Sequence, residues 1–213
     1  MIQAISARPF ALAGATALLA GCGGTTLAPG AAALGPDAMA AETAAALAQF
    51  DADIFAVQGM AATAQLPSSG SASYTGQTAL DLHSVVAETA SLQALADVYM
   101  FVDFDPAADV SVHSVVDEFR VVSTEGDYYF IDGTLVNDPA LSALTQGSAA
   151  EVATTVSGAI ETSGGDFEAV MTLDGTFVGS GGEGATGTAS GNLTLAGGAT
   201  VFEIDGTFYV MQP

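Results

Sequence analysis

The most reactive side chain in this chain is the thiol of Cys22, the single cysteine among 213 residues. It follows Leu19, Ala20 and Gly21, which close an apolar run from Phe10 to Ala20. A signal peptidase needs small side chains just before its cut, and Ala20 and Gly21 supply them. Arg8 and the amino terminus make a short, positively charged stretch ahead of the run. The run is too short to span a bilayer as a helix, which takes roughly 20 apolar residues. With one Cys there is no intramolecular disulfide, although an extracytoplasmic compartment would permit one.

The other reactive residues are sparse. His83 and His113 are the only histidines. They stand on different expected strands, and they would make a haem or metal pair only if those strands met at those positions. Two lone histidines on strands are more often ordinary half-exposed residues. Asp103, Asp105 and Asp109 surround an expected turn, and they miss the Asp-x-Asp-x-Asp-Gly spacing of a calcium loop. No Gly-x-Ser-x-Gly elbow, phosphate loop or dinucleotide fingerprint is present. The sequence therefore leads us to expect no enzyme: no catalytic residue, no metal site and no cofactor. Lys and Arg total 2 against 24 Asp and Glu, for a formal net charge of −22. Such a surface repels phosphate backbones, which excludes nucleic-acid binding. The acidic excess gives solubility and salt tolerance, and it would attract cations or a basic partner.

Leu19-Ala20-Gly21-Cys22 resembles the lipobox of bacterial lipoproteins: Leu, two small residues, then Cys. The resemblance implies that residues 1–21 are a signal peptide. It also implies that Cys22 becomes the first residue of the mature chain, lipidated on sulfur and acylated on its new amino group. Several acyl chains at ~0.8 kcal/mol per buried CH₂ anchor a protein firmly where one would not. In that family an Asp just after the Cys favours the inner membrane. Here Gly23 and Gly24 follow, which implies a lipid-anchored protein of the outer membrane, on the cell-surface or the periplasmic side. The competing reading is an ordinary secretory signal with a chance Cys. In either case Arg8 leaves with the signal and Arg120 is the one basic residue kept, besides the histidines.

Residues 22–36, rich in Gly, Ala and Pro, read as a flexible tether. Residues 37–67 read as a helical linker segment. In it Met39, Thr43, Ala46, Phe50, Ile54 and Val57 recur at helical spacing over 37–57, offering Phe50, Phe55 or Ile54 for packing on a domain. Pro67-Ser-Ser-Gly70 then breaks the chain. From 68 to 213 the pattern is strand-like: alternating apolar and polar runs divided by glycine turns and by the hairpin signal Glu125-Gly-Asp127. Residues 137–150 make a longer connection with a helical turn. The count comes to about eight strands, paired antiparallel. The expected class is therefore all-β, a roughly eight-stranded antiparallel barrel, a strand number that suits a small closed barrel, with its interior either packed or holding a cavity.

An internal repeat supports the barrel. Ile131-Asp132-Gly133-Thr134-Leu135, Leu173-Asp174-Gly175-Thr176-Phe177 and Ile204-Asp205-Gly206-Thr207-Phe208 share the form apolar-Asp-Gly-Thr-apolar. A strand glycine gives room for a bend or a large cross-strand neighbour. The alternative, carboxylates converging on a cation, needs denser acidic spacing. Ser71-Ala-Ser-Tyr-Thr-Gly76, the Gly/Thr/Ser-rich strands and the closing apolar-Asp-Gly-Thr-Phe-Tyr strand resemble the β-barrel domain of transferrin-binding-protein-B-like lipoproteins. The resemblance covers about residues 68–212. It implies a lipid-anchored barrel, in a family where several members bind host proteins or haem-related ligands. This chain has one barrel-sized unit and lacks the lysine-rich loops of the large receptors, so transferrin binding does not carry over and no family binding residue maps onto it.

Three function classes remain. The first is a lipid-anchored outer-membrane lipoprotein whose barrel presents loops to a small ligand or to an extracellular or envelope protein. The second is a structural envelope lipoprotein without a specific ligand. The third is an integral outer-membrane barrel. That one fits least, because the chain has no Trp and its strands are rich in Gly, Ser and Thr where lipid-facing aromatic girdles are needed. An interior wide enough for a ligand favours the first class.

Overall fold

The computed structural model describes residues 36–86, 91–104, 111–123, 128–162, 165–195 and 198–213. Leu19, Ala20, Gly21 and Cys22, with the expected tether up to residue 35, lie outside the described residues, as do Asp105, Asp109 and the Glu125-Gly-Asp127 turn. The described residues form one compact unit.

The unit begins with helix α1 (Pro36–Gln58). Pro at its first position and Asp37 in its first turn suit a helix start. Ten strands follow: β1 (Ser71–Ser84), β2 (Ser91–Asp103), β3 (Ser111–Ser123), β4 (Tyr128–Gly133), β5 (Leu135–Asn137), β6 (Ala143–Gln146), β7 (Ala150–Thr162), β8 (Gly165–Val178), β9 (Gly184–Leu195) and β10 (Thr200–Met211). A 3₁₀ turn, Pro139–Leu141, sits between β5 and β6, within the connection where a helical turn was expected. Every pairing is antiparallel.

The sheet closes on itself. β1 pairs β2 and β2 pairs β3; β4 and β5, end to end, bridge β3 to β7; β7, β8, β9 and β10 follow, and β10 returns to β1. The expected all-β, eight-position antiparallel barrel is what forms. β6 adds a short edge to β7 outside this ring.

Alternation puts one row of each strand inside. Val98, Met100, Val102, Val112, Val116, Val152, Val156, Met171, Leu173, Phe177, Phe208 and Val210 are fully or nearly fully buried there. A smaller apolar cluster lies outside the ring, where α1 packs on the wall. Phe50, Ile54 and Val57 of α1 meet the outward Leu95, Val178 and Tyr209. Spacing of three and four residues puts those helix side chains on one stripe. Phe55, a candidate for the same role, falls off the stripe and is 78% exposed.

Candidate functional site

The two ends of the ring differ. At one end the interior is full. Tyr74 and Phe177 stack at a tilt with ring centroids 5.8 Å apart. Tyr74 donates a hydrogen bond to the Gly182 carbonyl at 2.9 Å, and Gln212 reaches both groups through Nε2. Burial pushes the Tyr74 phenol up, and the bond from Gln212 offsets part of that. Phe208 sits across Gly187 of β9, itself opposite Gly175 of β8. A Cβ on Gly175 would stand 2.7 Å from Phe208 Cζ and 2.8 Å from the Thr186 carbonyl oxygen, so the second Asp-Gly-Thr repeat uses its glycine to admit an aromatic ring. The segment after α1 closes this end. Thr63 N donates to Phe177 O at 2.8 Å, Ala150 N donates to Thr63 O at 2.6 Å, and Leu66 enters the core. Thr63 Oγ1 also donates to the Gly179 carbonyl.

At the other end the interior holds a cavity of about 270 Å³. Its walls include Leu80 and Leu82 of β1, Phe119 and Val121 of β3, Ile160 of β7, Phe167, Ala169 and Met171 of β8, and Phe202 and Ile204 of β10. All belong to the half of each strand farthest from the sealed end. The strand ends here carry more apolar surface: Val85, Val86 and Leu195 are 49%, 77% and 43% exposed. Among the described residues Thr162 is the single polar side chain in the lining, and its hydroxyl donates to the Gly165 carbonyl at 2.9 Å.

A bulge in β3 shapes this wall. Leu95 faces Arg120 and Asp97 faces Asp117, so Ala96 alone opposes both Glu118 and Phe119. Glu118 takes φ 53°, a left-handed conformation unusual for a side chain larger than glycine. The extra residue changes the phase of the strand. Val112, Ser114 and Val116 point inward before it, Phe119 and Val121 after it. Without the bulge Glu118 would face the apolar interior.

The same bulge gathers polar groups on the outer wall. Arg120 donates to Asp97 Oδ1 at 2.9 Å, and Gln77 donates to the same oxygen at 3.0 Å. Asp117 Oδ1 beside them is buried without a hydrogen-bond partner. Burial, then the charge of Asp97, raises the Asp117 carboxyl above its ordinary range. Under α1, Tyr209 donates to Asp53 Oδ2 at 3.0 Å while its ring packs on Phe50 at 5.5 Å. Burial first, then the Asp53 carboxylate, pushes the Tyr209 phenol strongly up.

The structure separates most of the residues that the sequence singles out for chemistry. His83 lies opposite Ser91 near the hollow end, whereas His113 lies opposite Phe101 near the packed end. Both side chains are exposed. Asp132, Asp174 and Asp205 of the repeats all face outward on different strands. Among the described residues no group of three His, Cys, Asp or Glu side chains could hold a metal ion, and no helix is long and apolar enough to cross a membrane. The sequence did not settle whether the interior is packed or hollow; the structure leaves it hollow at this end.

What fold and site define together is a closed antiparallel β-barrel, packed at one end and hollow and apolar at the other. No family model matches the chain and no curated protein is significantly similar. A solved structure titled as DynF from the dynemicin biosynthesis pathway of Micromonospora chersina is similar over 70% of this chain and 82% of its own, at 15% identity and a TM-score of 0.43. A likeness at that level carries no argument about function.

Proposed function

We propose that this chain is a lipid-anchored outer-membrane lipoprotein, held through acyl groups on Cys22, whose barrel binds a small ligand in its hollow end. The carrying observation is the apolar cavity of about 270 Å³. Protein interiors are close-packed and rarely leave room beyond a water molecule. A void lined by Leu, Ile, Phe and Met stays dry and takes apolar guests. In this reading the barrel binds and does not catalyse. The packed half and its sealed floor favour a second reading, a structural envelope lipoprotein with no ligand.

Titrating naphthalene into the full chain, with ¹³C-methyl methionine as reporter, tests the binding. Met171 lines the cavity, and its methyl signal should shift and saturate. Ala169→Leu, which fills the same space, should abolish the shift and leave the fold intact. An unmoved Met171 signal would leave the structural reading ahead. The anchoring is tested separately by fractionating Cys22→Ala: it should leave the membrane fraction that holds the unaltered protein. Protease shaving of intact cells then tells the surface from the periplasm.

A further inference from the structure

We infer that the cavity selects neutral apolar molecules and rejects those ending in a carboxylate. This rests on the reading of the barrel as a ligand-binding one and narrows its ligand class. Among the described residues the lining has no cationic side chain, and its single hydroxyl proton, on Thr162, is already donated to Gly165. A buried charge without a partner is costly, so an anionic head could not follow its chain inside.

Nor is the rim a refuge for such a head. The exposed charged positions on the strand ends around the mouth are acidic: Asp132, Glu161, Asp166, Glu168 and Glu203. Among the described exposed residues there, His83, directly opposite Glu203, is the one basic side chain. Arg120 lies on the outer face between Phe119 and Val121, half-buried, and its guanidinium is held by Asp97 at 2.9 Å. The field at the mouth is therefore negative, and the whole chain reinforces it with a net charge of −22.

Size narrows the class further. A 150 Å³ apolar cavity holds benzene, so 270 Å³ suits a guest on the order of ten to twelve carbon atoms. The ligand class is a neutral alcohol, ketone or hydrocarbon of that size.

The test compares 1-decanol with decanoate at pH 8, where the acid is ionised, on the full chain with ¹³C-methyl methionine. Decanol should shift the Met171 signal and saturate. Decanoate should bind at least about tenfold more weakly, and added salt should narrow only the part of the gap due to the rim. Equal binding of the two, or tighter binding of decanoate, would overturn this inference while leaving a ligand-binding barrel. A Met171 signal that neither compound moves, nor naphthalene, would overturn the ligand-binding reading itself.

Discussion

Single atoms decide the packing on both sides of this wall. Gly175 faces inward with Phe208 Cζ only 2.7 Å from where its Cβ would stand. Gly175→Ala should therefore destabilise the barrel by about 1–3 kcal/mol, as other overpacked cores do, read from denaturant unfolding. Asp117 offers the opposite test. Its carboxyl titrates above the ordinary range because burial, and then Asp97, disfavour its charge. Protonation of such an acid favours the folded state, so its penalty is absent below the unfolded pKa and complete above the raised folded one. Asp117→Asn should melt higher than the unaltered protein at pH 7, and the advantage should fade as pH falls through the raised pKa. A thermal-melt series across pH would show it, and an advantage independent of pH would point to packing instead of charge.

Helix α1 shows how an element can be attached without belonging to the ring. Its stripe of Phe50, Ile54 and Val57 covers outward Leu95, Val178 and Tyr209. Truncating a buried Phe typically costs 3–5 kcal/mol. Phe50→Ala should thus loosen the helix more than the barrel, with faster hydrogen exchange along residues 43–58 and little change in β8 and β9. Most strands were legible in the sequence, because apolar alternation and glycine turns are local signals. So was the helix, with two of its three suggested contacts. The bulge was not, since Glu118 gives no local sign that it will turn left-handed; it becomes readable only when Phe119 and Val121 must share a face. The hollow end was also hidden. Leu80, Ile160 and Phe202 read as core residues, and whether three such side chains meet or leave space depends on a ring no single strand describes. His83 and His113 could not be placed without the register through β2.

For the whole molecule, charge is the governing quantity. Losing Arg8 with residues 1–21 would take the net charge from −22 to −23, with Arg120 the one remaining Arg and no Lys. Such self-repulsion opposes compaction. The Debye length falls from ~30 Å at 0.01 M salt to ~3 Å at 1 M, so the Tm should rise by several degrees over that range; a flat or falling Tm would show that the charges are too dispersed to matter. The closing pair of the ring sets a different kind of limit, one of timing. Thr75 pairs with Met211 and Ser84 with Phe202, so an early strand waits for the last one before either has its neighbour. Until then β1 and β9 each offer an open edge, a template for pairing with another chain. Pairing between such distant strands is slow. Loss of residues 200–211 would accordingly do more than thin the sheet: it would hold the chain at its most aggregation-prone stage, with the edges of β1 and β9 both left unpaired.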